Sequence, residues 1–306
     1  MRFWFSVVQS SSSSHPSGTC GDKPNASSLA QTRPLVLKGG PHGVLLFHGL
    51  NSSPLEMQFV ARGLHRAGYT VRVPILDGYT HGALRHTTPS SAAIWLEAAQ
   101  SELTTFRNEC QTVSVGGLCI GALLALGLAA TRTDEVDALI AMSPAIHYDG
   151  WGNPWYTPFL PLAKWVPFAK QIQVQEREPF GVKDTRMRSW IAKQMSATGL
   201  SDAGASTLQV GDLLKARELA AFAQAHWGNI QAPTLLLHAV EDECATPRSS
   251  LDIAQGITKA KTQLILLHDS YHMITIDREK ELVLQTIDRF ISEAVTKPRA
   301  PLGVAG

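Results

Sequence analysis

The chain has 306 residues, of which 44% are hydrophobic and 17% are charged, and its formal net charge is +1. This length and composition fit one large domain, or one domain with a sizeable insertion, and supply ample apolar material for a packed core. The balanced charge gives no sign of an overall field for nucleic acid or for an anionic membrane surface, so no nucleic-acid partner is expected.

The cysteines indicate a protein of a reducing compartment rather than one held together by disulfide bonds. They form no CxxC pair, match no metal-finger spacing and are few for the length: Cys20, Cys110, Cys119 and Cys244. A reducing compartment, the cytoplasm, is therefore predicted. We expect no cofactor and no metal, although a zinc site built from Cys244, His238 and His272 is an open alternative.

The two ends of the chain are predicted to lie outside the folded domain. Residues 1–32 are rich in Ser, Pro and Gly and are expected to form a disordered extension. The apolar stretch 3–8 is shorter than the roughly 7–15 apolar residues of a signal peptide, which disfavours a signal peptide here. A degenerate export signal is kept as the alternative interpretation. Residues 297–306 are expected to form a flexible tail. No run is long enough for an integral membrane segment.

Apolar runs and helical periodicities alternate from Gly43 onward. Strands are predicted at 44–47, 69–76, 112–115, 138–142, 234–240 and 263–267, and helices at 53–68, 90–108, 122–130, from about 246, and at 277–293. Continuously apolar strands that alternate with helices predict an α/β fold with a mainly parallel, doubly wound sheet. A TIM barrel is disfavoured because the irregular stretch 147–228 interrupts its repeats.

The sequence G-x-C-x-G lies between a predicted strand and an apolar helix and contains Gly117, Cys119 and Gly121. A nucleophile at the tip of such a sharp turn needs very small residues two positions before and after it. The dipole and free N–H groups of the following helix favour a thiolate. Cys119 is therefore the candidate nucleophile; the alternative is a small core cysteine in a glycine-rich turn.

A catalytic acid and base should follow the nucleophile in that order along the chain. Asp242 and His272 each come just after a predicted strand, where open α/β sheets build their sites. We therefore predict a triad of Cys119, Asp242 and His272. Other carboxylates that compete for the role of the acid are Glu241, Glu243 and Asp149.

An oxyanion hole needs two backbone N–H donors near the nucleophile. The residue after the nucleophile, Ile120, is expected to provide one. The loop that follows the first buried strand, residues 48–53, is expected to provide the other, from Leu50.

Four motifs carry a resemblance to a known family: LLFHGLNSSPLEM at 45–57, AGYTVRVP at 67–74, PTLLLH at 233–238 and SYHMITID at 270–277. With them the chain resembles bacterial carboxylesterases and monoacylglycerol lipases of the α/β-hydrolase superfamily over 33–145 and 229–294. The resemblance implies a core of residues 33–146 and 229–296, with a helical cap of residues 147–228 inserted after the sixth strand.

The departure from that family is the cysteine, because Ser is the usual nucleophile there. Cys119 is similar in this respect to the nucleophile of dienelactone hydrolases, polyhydroxyalkanoate synthases and some acyl-transferring thioesterases. We expect an acyl hydrolase that forms a thioester acyl-enzyme with a hydrophobic small-molecule acyl substrate. An acyltransferase or cyclase that uses an alcohol, amine or thiol acceptor is the alternative, and a non-catalytic binding protein is a third.

The insertion contains five of the seven tryptophans of the chain, at positions 151, 155, 165, 190 and 227. One interpretation is an apolar wall over an acyl pocket. The other is a set of aromatic anchors that pack a small cap onto the core, and we expect more than half of these residues to serve only that purpose.

Overall fold

The computed structural model describes residues 33–82, 90–201 and 204–296. The predicted extension 1–32 and tail 297–306 lie outside the described residues. The strands are β1 (Leu35–Leu37), β2 (His42–Phe47), β3 (Thr70–Val73), β4 (Thr112–Leu118), β5 (Ala138–Met142), β6 (Gln173–Gln175), β7 (Leu200–Ser201), β8 (Gly204–Ala205), β9 (Thr207–Gln209), β10 (Thr234–Ala239) and β11 (Thr262–Leu267). The α-helices are α1 (Gln58–Arg66), α2 (Ala92–Arg107), α3 (Ile120–Thr131), α4 (Thr185–Thr198), α5 (Val210–His226), α6 (Arg248–Gly256) and α7 (Lys280–Thr296).

The predicted mainly parallel sheet is confirmed. It has seven strands in the order β1-β3-β2-β4-β5-β10-β11. β1 pairs with β3 in the antiparallel sense, and the other neighbours pair in parallel. The central strands β2, β5 and β10 are buried along their whole length, which explains their continuously apolar sequences. Their carboxyl ends, with those of β4 and β11, point to one edge of the sheet.

Helices cover both faces of this sheet, so the fold is doubly wound. Side chains of α2, α3, α5 and α6 form the core on one face, and those of α1 and α7 form the core on the other. Helix α3 is buried on nearly all sides and directly follows β4. Among the helices of the described ranges, none is long and apolar enough to cross a bilayer.

Several predicted boundaries shift by a few residues, and one shift has a clear cause. The last helix was expected from residue 277 but begins at Lys280. The Asp277 carboxylate instead accepts hydrogen bonds from the backbone N–H groups of Lys183 at 2.7 Å and Tyr271 at 2.8 Å. Asp277 therefore ties three segments of the chain together instead of entering the helix.

The insertion 147–228 is less regular than the helical cap that the sequence predicted. Besides α4 and α5 it holds the 3₁₀ segments Thr157–Trp165 and Ala169–Gln171. It also holds two small antiparallel pairs, β6 with β9 and β7 with β8. Because α5 packs against α3 in the core, the division into core and cap stays a prediction.

Most tryptophans of the insertion are exposed. Trp151, Trp155, Trp165 and Trp190 each expose more than half of their surface. This exposure is larger than buried anchors would have for Trp155, Trp165 and Trp190, whereas Trp151 also packs edge-on against Tyr271 of the core.

We predict that Leu236→Ala in β10 lowers the free energy of unfolding by about 2–5 kcal/mol, because it leaves a cavity in a fully buried strand. Leu251→Ala in α6, where the leucine is 47% exposed, is the control and should cost less than about 0.5 kcal/mol. Urea titration of both variants measures the difference. Equal costs would contradict the assignment of β10 to the centre of the core.

Candidate active site

Cys119 occupies a strained turn between β4 and α3. Its backbone has φ 57° and ψ −116°, a conformation that non-glycine residues rarely adopt. The turn is held because the Cys119 N–H donates to the carbonyl oxygen of Met142, 3.0 Å away, on β5. The side chain is half-buried and the thiol is free. Strain that persists in this way is characteristic of functional positions.

Both predicted elbow glycines are required by close backbone packing. A Cβ on Gly117 would collide with the carbonyl group of Gly121. A Cβ on Gly121 would collide with the carbonyl oxygens of Phe47 and His48, at the end of β2 and just beyond it. The first turn of α3 therefore lies directly against the loop that follows β2.

Asp242 and His272 meet beyond the carboxyl ends of β10 and β11. The Asp242 Oδ2 lies 2.7 Å from the His272 Nδ1, and both side chains are buried. The second carboxylate oxygen accepts hydrogen bonds from the backbone N–H groups of Cys244 and Ala245, each at 2.8 Å. The carboxylate is thus fixed in orientation and holds the imidazole by one ring nitrogen.

The competing carboxylates do not contact the imidazole ring. Glu241 forms an ion pair with Lys183 at 3.0 Å, and Asp149 accepts from Thr246 at 2.8 and 2.9 Å. Glu243 accepts a hydrogen bond from the His272 backbone N–H at 3.2 Å instead. Of the four candidates for the acid, Asp242 has the geometry of the role.

The surroundings of Asp242 and His272 stabilise the protonated, positively charged form of the His272 ring. Burial alone would raise the pKa of Asp242, but the charge of His272 and the hydrogen bonds from His238 and His272 hold that pKa below its usual value. Burial alone would lower the pKa of His272, yet the Asp242 carboxylate raises it above its usual range. Each partner therefore favours the charged form of the other, which suits a base that must carry a proton.

The structure does not join Cys119 to His272 by a hydrogen bond. The His272 Nε2 is buried and has no hydrogen-bond partner in the part of the chain that the structure describes. The Cys119 thiol instead interacts with the Cys244 thiol, and this interaction, with burial, raises the pKa of Cys244 well above its usual value. A hydrogen bond between nucleophile and base is often long or absent in an active site without substrate. The sequence suggested Cys244 only as a zinc ligand, and its contact with Cys119 was not predicted.

The loop predicted to supply an oxyanion donor, residues 48–53, is held in place by hydrogen bonds of the buried His48 ring. The neutral His48 ring lies 2.7 Å from the Gly49 carbonyl oxygen through Nδ1 and 2.9 Å from the Thr80 hydroxyl through Nε2, and burial lowers its pKa to about 4. Within the described residues, the backbone N–H groups of Leu50 and Ile120 donate to no protein group. The two amides that the sequence predicted for an oxyanion hole are therefore unpaired.

Glu56 is a buried carboxyl group under this loop that sequence reasoning missed. Its Oε2 accepts a hydrogen bond from the Gly49 N–H at 2.8 Å, and the residue is 2% exposed. Burial raises its pKa to about 7, and the hydrogen bond from Gly49 opposes that rise. A glutamate in a short turn reads from sequence as a surface residue, so only the three-dimensional contact reveals it.

The alternative zinc site is opposed by the bonds of His238. Its Nδ1 lies 2.7 Å from the Ser250 hydroxyl and its Nε2 lies 2.7 Å from the Ala245 carbonyl oxygen. Both ring nitrogens are thus used by protein partners. Within residues 33–82, 90–201 and 204–296 no cluster of three His, Cys, Asp or Glu side chains has the arrangement of a metal site.

Comparison with known proteins places this geometry in a family. The model of the family described as serine aminopeptidase, S33, matches residues 41–279. A thermostable monoacylglycerol lipase of Bacillus sp. (strain H-257) is 24% identical over 267 residues, which cover 87% of this chain and 96% of that protein. A carboxylesterase of Bacillus subtilis (strain 168) is 23% identical over 266 residues, which cover 85% and 96% respectively.

A solved structure agrees with the fold. The structure reported for LipS and LipT, two metagenome-derived lipolytic enzymes, superposes with a TM-score of 0.71 and 25% identity. It covers 86% of this chain and 98% of that chain. These comparisons confirm the predicted α/β-hydrolase fold.

Gly121→Ala should lower the free energy of unfolding by roughly 3 kcal/mol, because the new methyl group meets backbone carbonyl groups that have no room to move. Gly127→Ala, in the same helix, is the matched control, since its methyl group would meet the flexible end of Leu96 and otherwise lie in ordinary contact with Phe222. Urea titration compares the two. If both variants are equally stable, the close packing of the elbow against β2 is wrong.

A third prediction follows from the raised pKa of Glu56. Because this carboxyl group holds its proton in the folded state up to about pH 7 and in the unfolded state only up to about 4.5, it lowers stability progressively as pH rises between these values. Relative to Glu56→Gln, wild-type protein should therefore lose about 3 kcal/mol of unfolding free energy from pH 4.5 to pH 8. Denaturant titrations of both proteins across this range measure the loss, and a difference that does not change with pH would contradict it.

Proposed function

The chain belongs to the serine aminopeptidase S33 family of α/β hydrolases, and on that premise we propose that it is a carboxylesterase-like acyl hydrolase with Cys119 as its nucleophile. The substrate is an ester or thioester of a hydrophobic acyl group. The observation that carries the proposal is the buried Asp242–His272 pair beyond β10 and β11, with Cys119 on the strained elbow after β4. All three lie at the edge where open α/β sheets bind ligands.

The acylation step follows from the roles of these groups. The Cys119 thiol gives its proton to the His272 Nε2 before substrate binds, so the charged imidazolium lies beside a thiolate, and the thiolate sulfur attacks the carbonyl carbon of the substrate. The carbonyl oxygen becomes an oxyanion that accepts hydrogen bonds from the Leu50 and Ile120 N–H groups. When the intermediate collapses, the carbon–oxygen or carbon–sulfur bond of the substrate breaks, and His272 gives its proton to the leaving alcohol or thiol.

Deacylation follows the same chemical steps with water as the nucleophile. His272 removes a proton from water, and the hydroxide attacks the thioester carbonyl. The acid leaves, and Cys119 is again a thiolate beside the protonated His272. Asp242 keeps its charge throughout and stabilises the imidazolium in both steps.

The named relatives support an ester as the substrate class, because one is a monoacylglycerol lipase and the other a carboxylesterase. The cysteine itself favours one alternative, in which an alcohol, amine or thiol replaces water in the second step and the protein is an acyltransferase or cyclase. A thioester is a better acyl donor to such acceptors than an oxyester. A non-catalytic binding role is disfavoured by the organised Asp242–His272 pair and the unpaired N–H groups.

A reducing compartment, the cytoplasm, remains our prediction for where this chemistry occurs. Within the described residues Cys110, Cys119 and Cys244 form no disulfide bond. The core of residues 33–146 and 229–296, with a cap of residues 147–228, likewise remains our proposal for the domains.

Hydrolysis of nitrophenyl acetate and nitrophenyl octanoate tests the triad. Cys119→Ala and Asp242→Asn should each lower kcat/KM by about 10³-fold or more, because the nucleophile or the orientation of the base is lost. Cys110→Ala removes a thiol far from the site, in the core beside α2, and is the control with unchanged kcat/KM. Faster turnover of the octanoate ester is expected from a hydrophobic acyl preference.

Two results would contradict the proposal. Undiminished hydrolysis by Cys119→Ala would exclude the cysteine as the nucleophile. Release of one equivalent of nitrophenolate without further turnover, restored by an added amine or thiol, would favour the acyltransferase alternative instead.

A further inference from the structure

Two cysteine thiols meet in the candidate active site, although only one of them has a role in the proposed hydrolysis. Cys119 lies on the elbow after β4, and Cys244 lies in the loop between β10 and α6. The fold brings their side chains into hydrogen-bonding contact, and both thiols are free. Because two neighbouring thiols are the reactants of a disulfide bond, the second cysteine gives this site a chemistry that hydrolysis does not need.

The backbone on each side of this thiol pair is fixed. The Cys119 N–H donates to a carbonyl oxygen of β5 at 3.0 Å. The Cys244 N–H donates to the Asp242 carboxylate at 2.8 Å. The Cys244 carbonyl oxygen accepts hydrogen bonds from the Gly150 N–H at 3.1 Å and from the Asn153 side chain at 2.5 Å. The contact between the thiols is therefore maintained by hydrogen-bonded backbone, which suits the narrow geometry of a disulfide bond.

The two thiols differ in charge. The contact with Cys119, together with burial, raises the pKa of Cys244 well above its usual value, so Cys244 keeps its proton. The negative charge of the pair therefore lies on Cys119, where the N-terminus of α3 and the His272 imidazolium favour it. Cys119 is half-buried, so a small oxidant can reach its sulfur. An accessible thiolate beside a second thiol is the arrangement of cysteines that react with peroxides.

Two buried polar atoms beside the thiol pair lack hydrogen-bond partners within the described residues: the Tyr148 hydroxyl and the His272 Nε2. Burial raises the pKa of Tyr148, and the charges of Cys119 and Cys244 raise it further, so its hydroxyl lies near both sulfurs. The charge of His272 acts on the Cys244 thiol and lowers its pKa, so the imidazole is near the pair as well. Buried polar atoms without a partner call for a ligand or water that uses them. The site can therefore donate hydrogen bonds to the oxygen atoms of a small peroxide.

We propose that hydrogen peroxide oxidises Cys119 and Cys244 to a disulfide bond that reversibly closes the candidate active site. In the first step the Cys119 thiolate attacks one oxygen of the peroxide and the O–O bond breaks. The departing oxygen takes the proton of His272 and leaves as water. Cys119 is then a sulfenic acid and no longer has the negative charge that kept Cys244 protonated.

The second step forms the disulfide bond. His272, now neutral, takes the proton of Cys244, and the new thiolate attacks the Cys119 sulfur. The sulfur–oxygen bond breaks, and the hydroxide takes the proton back from His272 and leaves as a second water. Two electrons have then passed from the two sulfurs to one peroxide molecule. A thiol or dithiol reductant reverses the oxidation by thiol–disulfide exchange.

The disulfide bond has two consequences for Cys119. Its sulfur can no longer attack an acyl group, and this consequence rests on the proposed function. The sulfur is also kept from irreversible oxidation to sulfinic acid, because Cys244 captures the sulfenic acid first. The bond itself forms whether or not the protein is a hydrolase, so it is tested separately. Disulfides of reducing compartments are usually transient ones of this redox-sensing kind.

Peptide mapping of the full chain after treatment with hydrogen peroxide tests the proposal. In a digest made without reductant, a cross-linked peptide pair should join Cys119 to Cys244, and the intact mass should fall by two hydrogen atoms. Hydrolysis of nitrophenyl acetate should be lost, and dithiothreitol should restore both the mass and the rate. The control variant Cys20→Ser/Cys110→Ala keeps only the two thiols of the pair and should behave like the wild type.

The variants Cys244→Ser and Cys244→Val remove the second thiol and leave Cys119 alone with the oxidant. In both, peroxide should add two or three oxygen atoms to Cys119, because the sulfenic acid is not captured. Dithiothreitol should then restore little of the rate that each variant has before oxidation. One replacement is polar and the other apolar, so agreement between them, with unchanged circular dichroism, excludes a loss of the fold as the cause.

Three outcomes would overturn the proposal. The first is a wild-type chain that forms no disulfide bond under peroxide, and the second is a bond that joins Cys119 to Cys20 or Cys110 instead. The third is recovery of the Cys244 variants by dithiothreitol as complete as that of the wild type. A chain that forms the bond between Cys119 and Cys244 but hydrolyses no ester would support this proposal and contradict the proposed function.

Discussion

The close contact between the first turn of α3 and the end of β2 is the constraint on which the site depends. Gly121 lies so near the carbonyl oxygens of Phe47 and His48 that no Cβ fits between them. This contact puts the loop after β2 beside the residue that follows β4, as the proposed oxyanion hole of the Leu50 and Ile120 amides requires. It also forces the turn at Cys119 into its positive-φ conformation, which places the thiol at the edge of the sheet.

Buried ionisable groups then fix the surroundings of this turn. Asp242 and His272 are charged because each stabilises the charge of the other, whereas His48 is neutral because burial dominates. Glu56, under the same loop as His48, has its pKa raised to about 7 because its burial is compensated only in part by hydrogen bonds. Groups of the same type thus differ in charge according to their partners, and the low dielectric of the interior makes these differences large.

The strands and the elbow were predictable because their sequences carry local, physically specific patterns. Buried parallel strands must be apolar throughout, as in 44–47, and the elbow must have very small residues beside Cys119. Asp242 and His272 were predictable from their position after strands. Glu56 and Cys244 were not, because their roles arise from contacts between distant segments.

The insertion departs most from its prediction, again for a physical reason. Aromatic residues such as Trp155 and Trp165 read from sequence as packing anchors, since burial is their usual state. Their exposure depends on how an irregular segment lies on the core, and neither periodicity nor composition encodes that. The start of the last helix was missed in the same way, because the Asp277 carboxylate binds backbone N–H groups from two other segments.

The most direct test of the account is the mass of the protein during turnover of a nitrophenyl ester. After rapid mixing and acid quench, the intact mass should rise by one acyl group, and peptide mapping should place that group on Cys119. Neutral hydroxylamine should remove it, as expected for a thioester, and Cys119→Ala should show no adduct. Sustained hydrolysis with an acyl group on another residue, or with Cys119 unmodified throughout, would contradict the central claim that Cys119 is the nucleophile.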